Sequence, residues 1–225
     1  MSEEILNLRN ITKRFSDRHR TLTVLSGITA TLHQGSSVAL LGPSGSGKTT
    51  LLGLCAGLDL PSEGELTLYG KPVQHLSEEE RATLRRTSMG FVFQNYQLIP
   101  TLTALENVCI PLELTGTPQP AKQAAQWLDR VGLADRMSHY PVQLSGGEQQ
   151  RVAIARACVH QPAILFADEP TGNLDGETGQ QIEHLLFDLH RDTGNTLLLI
   201  THDAQLAQRA SIRWHLRAGQ LTLQD

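Results

Sequence analysis

The chain has 225 residues, 40% of them hydrophobic, and a formal net charge of -4. This is the composition of an ordinary globular chain with one full core and a smaller satellite, and its mild acidity lacks the basic field of a generic nucleic-acid binder, so no nucleic-acid partner is expected. Apolar runs stay well short of the ~18 residues a membrane span needs. Cys55, Cys109 and Cys158 are odd in number and far apart, with no C-x-x-C pair. They predict reduced core thiols of a cytosolic protein and exclude a disulfide framework or a zinc site.

The acidic start Met1-Ser2-Glu3-Glu4 predicts no secretory leader. Ile5, Leu6, Leu8 and Ile11 predict an opening strand, followed by Thr12-Lys13-Arg14-Phe15 and a polar turn at Ser16-Asp17-Arg18-His19-Arg20. Leu22, Val24 and Leu25, then Ile28, Ala30 and Leu32, alternate as further strands with Gly27 and Gly35 between them, so the segment up to Gly35 reads as an antiparallel sheet. Phe15 has two readings there, a core side chain or a platform for an adenine ring. Ser37 to Leu41 is a buried strand, and Thr49-Thr50-Leu51-Leu52 opens a helix with Leu51, Leu52, Leu54, Cys55 and Leu58 on its buried face. Between strand and helix stands Gly42-Pro43-Ser44-Gly45-Ser46-Gly47-Lys48-Thr49, a G-x-x-x-x-G-K-[ST] phosphate-binding loop. Its glycines let main-chain N–H groups converge on an anion, the helix N-terminus adds partial positive charge, and Lys48 adds a full one.

Gly64 to Tyr69 alternates as a strand, Ser77 and Glu80 form a capping box for a short charged helix, and Met89-Gly90-Phe91-Val92-Phe93 is the next strand. It ends at Gln94, whose amide could meet a metal ion or a water at a nucleotide. From Pro100 to His160 the pattern is helical: a second capping box at Thr103 and Glu106, a periodic run from Ala121 to Val131, and a helix from Glu148 to Val159. This predicts a helical insertion, 100–160, within an α/β core formed by 1–99 and 161–225. The buried strand Ala163 to Ala167, the amphipathic helix around Ile182, Leu185, Leu186 and Leu189, the buried strand Leu197 to Thr201 and a hairpin around Ala218-Gly219 complete the chain.

An apolar strand running into Asp168-Glu169 is the other half of a nucleotide site, since in phosphate-loop ATPases a strand-end Asp holds Mg²⁺ together with the Thr of the loop, here Thr49. On an extended backbone Glu169 points away from Asp168 and can face the attacking water. His202, just past a buried strand, sits at the carboxyl edge where α/β sheets bind ligands and can reach the γ-phosphate. Ser145-Gly146-Gly147-Glu148 opens a helix with a second set of small residues suited to an anion. That second site serves either the same nucleotide or one held by a partner.

The loop at 42–49 with Thr50 behind it, Gln94, Leu144-Ser145-Gly146-Gly147-Glu148-Gln149-Gln150-Arg151, Ile164 to Glu169, Asn173-Leu174-Asp175 and His202, in this order, resemble the ATP-binding-cassette ATPases over practically the whole chain. The resemblance implies a head-to-tail homodimer with two ATP molecules sandwiched, each phosphate loop facing the other copy's Ser145, Gly146 and Gly147. It implies that Gln94 senses Mg²⁺ and couples to a membrane subunit, that 173–175 lines the dimer interface, that His202 contacts the γ-phosphate and that Phe15 takes the adenine-stacking place. The segments Phe91 to Gln94, Leu98 to Val108 and Asp168 to Asp175 are similar to the lipoprotein-release and macrolide-efflux group. Such ATPases dock on the cytoplasmic face of inner-membrane permease subunits with few spans and large periplasmic domains. The expectation is therefore an Mg-dependent ATPase subunit powering export, extraction or force transmission, with Lys48, Glu169 and His202 as its catalytic side chains.

Overall fold

A computed structural model describes residues 3–17 and 20–224. The polar turn expected at 16–20 falls in part on Arg18 and His19, which lie outside the described residues, as do Met1 and Ser2 of the acidic start. In chain order the elements are β1 (Glu4–Ser16), β2 (Thr21–His33), β3 (Ser37–Leu41), α1 (Lys48–Cys55), β4 (Glu63–Leu68), β5 (Lys71–Pro72), α2 (Glu78–Ser88) and β6 (Met89–Phe93). Then come α3 (Ala104–Leu114), α4 (Pro120–Arg130), α5 (Gly146–Cys158), β7 (Ile164–Asp168), α6 (Gly176–Thr193), β8 (Thr196–Ile200), α7 (Ala204–Gln208), β9 (Ile212–Arg217) and β10 (Gln220–Gln224). They fall into two units, residues 1–85 with 196–225, and residues 86–195.

The first unit holds an antiparallel sheet in the order β2-β1-β4-β5. Ile5, Leu6, Leu8 and Ile11 of β1 are buried, and β4 joins through Leu6↔Leu68 and Leu8↔Leu66. β2 is one strand where two were expected. Gly27, at φ 64°, forms a bulge inside it: the β1 register slips between Ile11 and Lys13, and the Gly27 N–H turns to the Thr12 hydroxyl at 3.2 Å. A bulge absorbs an extra residue without ending the ladder. The same unit holds β3 between β8 and β9, parallel to both, with β10 antiparallel on β9, which makes the sheet mixed. Val38, Ala39, Leu40 and the β8 run from Leu197 to Ile200 are essentially solvent-free, as the unbroken apolar sequence of strands covered on both faces requires.

α1 buries Leu51 and Leu54, lies against β2, and stops at Cys55. Gly57 at φ 62° turns the chain out, with N–H bonds from Gly57 to Leu54 and from Leu58 to Gly53 closing the helix end. Leu58 therefore leaves the helical face and is 56% exposed, against its expected burial. The Cys55 thiol is enclosed, and burial pushes its pKa up to about 12.

In the second unit β6 and β7 pair in parallel, and α5 packs against α3, α4, α6 and β6. Between Phe93 and Ile164 the described residues form helices and turns without a strand. Asn107 of α3 is fully buried and accepts from Ile99 N–H at 2.8 Å while donating to the carbonyls of Ile99, Leu102 and Thr103, which pins the 99–103 turn to the helix. α5 meets α6 where Gly147 faces Thr178: a Cβ on Gly147 would lie 2.5 Å from the Thr178 methyl.

Two stability outcomes are expected. Asn107→Ala, which strands buried carbonyls and an N–H, should cost about 1–3 kcal/mol in chemical denaturation. Gly147→Ala should cost about 1–3 kcal/mol by overpacking, and Thr178→Ala in the same chain should return most of it, a coupling read from a double-mutant cycle. Additive effects would show that the two residues do not press on one another.

Candidate nucleotide site

The phosphate loop leaves β3 and turns through Gly45 at φ 75° and Gly47 at φ 101° before α1 begins. Gly47 is the N-cap, so α1 has no side chain to bond its leading N–H groups, and its first turn carries no acid. By contrast α3, α5 and α6 are capped by Thr103, Ser145 and Asp175. An uncapped helix start with the dipole's positive end is suited to an anion. Lys48 is 8% exposed, and its ammonium donates to the carbonyls of Gly42 at 2.9 Å and Pro43 at 3.1 Å, folding back over the loop it belongs to. The Ser46 hydroxyl oxygen is buried without a partner among the described residues. Ser44, Gly45 and Thr49 are exposed and Thr50 half-buried. Uncapped amides, an ammonium and an orphaned hydroxyl are together the donor set that a polyphosphate requires, so these residues fit one.

His202 belongs to this unit as well. Leu40 pairs with Ile200 in the parallel ladder, so β3 and β8 run out at the same edge, and the loop beginning at Gly42 and the exposed His202 both leave from it. Phe15, at the far end of β1, is 47% exposed, and the Lys13 ammonium stands 5.0 Å from its ring centre. The core reading of Phe15 does not hold.

In the second unit Phe93 pairs with Asp168, which sets Gln94 and Glu169 one step beyond the same strand edge. The extended backbone expected at Glu169 is not what forms. β7 ends at Asp168 and Glu169 takes φ 45°, its carbonyl accepting from Gly172 N–H at 3.1 Å to close a turn, although the following Pro170 by itself favours extended backbone. Strand alternation therefore does not decide where this carboxylate points. A non-glycine residue held there stores about 1–3 kcal/mol, a cost found at functional positions.

Gln94 donates from Nε2 to the Asn173 side-chain oxygen at 3.0 Å, and Asn173 returns Nδ2–H bonds to the Gln94 carbonyl at 3.1 Å and to Asn95 Oδ1 at 2.8 Å. The Gln94 Oε1 keeps its acceptor capacity, which with the carboxylate of Asp168 supplies the oxygen ligands a hard cation prefers.

Ser145 caps α5. Its hydroxyl accepts from Glu148 N–H at 3.2 Å, and Glu148 accepts from Ser145 N–H at 2.8 Å. The Ser145 side chain also bonds the Glu148 carboxylate, so both groups are committed to the helix start, Glu148 with a further bond to Arg136 at 3.1 Å. The Ser145 N–H, first among these contacts, holds the Glu148 carboxyl below the usual range. Asp175 likewise caps α6 by accepting from Thr178 N–H at 3.0 Å.

Three residues to which the sequence reading gave no role of their own stand among these groups. Gln150 is fully buried and donates to the Pro170 carbonyl at 2.6 Å, fastening α5 to the turn at Glu169. Arg156 bonds the main chain at Tyr96 and Gln97. Tyr96 places its hydroxyl where a Cβ on Gly146 would be 2.8 Å away. Polar side chains inside the largely buried helix α5 were the available sign.

The family model described as "ABC transporter" matches residues 25–172. The chain is 48% identical to the uncharacterized ABC transporter ATP-binding protein YbbA of Escherichia coli K12, over 98% of this chain and 97% of that protein. It is 46% identical to the lipoprotein-releasing system ATP-binding protein LolD of Pseudomonas fluorescens, over 98% and 99%. Among solved structures, the dimeric post-hydrolysis state of the ATP-binding cassette MJ0796 bound to ADP and Pi superposes with a TM-score of 0.89 at 37% identity, covering 98% of each chain. On a family match over most of its length and relatives of such identity over nearly all of it, the chain belongs to the ABC transporter family, as an ATP-hydrolysing ATP-binding subunit.

Proposed function

We propose that this ATPase subunit acts as a head-to-tail homodimer on the cytoplasmic face of the inner membrane. There it powers export, extraction or force transmission by a separate permease subunit with a large periplasmic domain. The observation that carries the reading is the near-full-length likeness to a lipoprotein-releasing ATP-binding protein. No helix among the described residues is long and apolar enough to cross a membrane, so in this reading the spans belong to the partner.

The loop amides at 42–49 and the Lys48 ammonium hold the β- and γ-phosphates, and Phe15 stacks on the adenine. Thr49, Asp168 and Gln94 hold Mg²⁺, which when bound supplies charge neutralisation at the phosphate oxygens. Glu169 orients the attacking water and accepts its proton, and His202 donates to the γ-phosphate. Ser145, Gly146 and Gly147 of each copy close on the nucleotide of the other. The residues between 100 and 160 act as the helical subdomain that carries this segment. Catalysis is then mostly positioning and charge stabilisation, as phosphoryl transfer with a loose transition state demands.

Glu169→Gln should bind ATP, lose about 100-fold or more in turnover and accumulate as an ATP-bound dimer in size-exclusion chromatography. Near-normal steady-state hydrolysis would remove Glu169 from its role. Lys48→Ala and Ser145→Arg chains should each be inactive, and mixed chains should recover about a quarter of the activity, because half the dimers are mixed and each has one intact composite site. No recovery would count against independent shared sites. Affinity capture from detergent-solubilised membranes should bring down a permease with a large periplasmic domain, and a partner lacking one would overturn that part of the proposal.

A further inference from the structure

Arg156 stands on α5, the helix that Ser145 opens, and reaches the loop after Gln94. Its Nη1 donates to the Gln97 carbonyl at 2.6 Å and its Nη2 to the Tyr96 carbonyl at 2.8 Å. The guanidinium is half-buried, no carboxylate pairs with it among the described residues, and desolvation pulls its pKa down. A cation in such a place is kept there by fixed dipoles. Both carbonyls belong to residues in the left-handed region, Tyr96 at φ 56° and Gln97 at φ 50°. Non-glycine backbone of this kind persists only where its surroundings over-determine it, and the forked guanidinium is the contact that does so. The loop it holds is joined to two parts of the site. On one side is the Gln94 amide, bonded to Asn173, and on the other is the Tyr96 hydroxyl, set against Gly146.

We infer that Arg156 is a positioning residue of the ATPase cycle, holding the 95–97 loop in its strained shape and so tying Gln94 to the Ser145–Gly147 segment through Tyr96. The state of the nucleotide at Gln94 in one copy then sets the segment that the copy offers to its partner. This rests on the shared-site reading proposed above. ATP binding by the phosphate loop is independent of the clamp, whereas closure and hydrolysis depend on it.

The test is ATP hydrolysis by the full chain, with ATP affinity and melting temperature measured alongside, for Arg156→Met, Arg156→Lys, Arg156→Met with Gln97→Gly, and Ser145→Arg. Arg156→Met should lower kcat about ten-fold or more while KM and the Kd for ATP stay within about two-fold. Arg156→Lys should remain impaired, since a single ammonium does not replace the fork. Gln97→Gly removes the strain that the guanidinium offsets, and in the Arg156→Met chain it should restore much of the lost kcat. A wild-type kcat in Arg156→Met beside an inactive Ser145→Arg overturns the clamp and leaves the shared site standing. Full activity of Ser145→Arg overturns the shared site and the clamp with it. A joint fall of melting temperature, ATP affinity and kcat that Gln97→Gly does not relieve assigns Arg156 to the fold alone and overturns the inference.

Discussion

In a parallel ladder the strands advance together, so whatever follows their last residues leaves from a common edge. Leu40 against Ile200 in one unit and Phe93 against Asp168 in the other are the two registers from which the chemistry departs. The first sends out the phosphate loop and His202, the second Gln94 and Glu169. A slip of one residue in either pair would move a whole loop by more than 3 Å and turn every side chain over. Burial on both faces prevents it: Val38, Leu40, Leu165, Ala167 and Leu199 have no exposed side to rotate into.

The two helix starts proposed to meet phosphate are built in opposite ways. α1 is led by a left-handed glycine and has no side-chain cap, so its amides depend on an external acceptor. α5 satisfies itself through Ser145 and Glu148 and needs no ligand to be a stable helix. This difference suits their roles, since the loop before α1 must pay in local stability for affinity, while a helix that presents itself to another molecule has to be rigid beforehand. α5 is then fixed along its length by Gln150 to the Pro170 carbonyl and by Arg156 to the loop after Gln94.

Much of this was readable from residues. Unbroken apolar runs marked the buried strands, S/T-x-x-E spacing marked the helix starts at 77 and 103, and the phosphate loop stood out because a plain glycine turn does not need lysine and threonine at those two places. What was not readable depends on neighbours distant in sequence. Gly27 punctuates by pattern but sits inside one bulged strand, because β1 is available on its other side. Leu58 fits a helical stripe, yet the chain has already turned at Gly57. At Glu169 the reading extended strand geometry one residue too far, into a turn that the Gly172 N–H closes. Arg156 and Gln150 gave no sign of what they hold, since their partners are main-chain carbonyls, which every residue has.

The cysteines bear on how the molecule can be handled. Cys55 on the phosphate-loop helix and Cys158 on α5 are fully buried, with burial pushing both thiols up to about 12, and Cys109 is raised as well. The thiolate is the reactive species in alkylation and disulfide exchange, and at neutral pH these three hold almost none. Burial and the raised pKa both slow alkylation and oxidation of the natural thiols in the folded chain. A cysteine introduced on its surface would be the one that takes a fluorophore or a spin label, with no need to strip the natural three from the core.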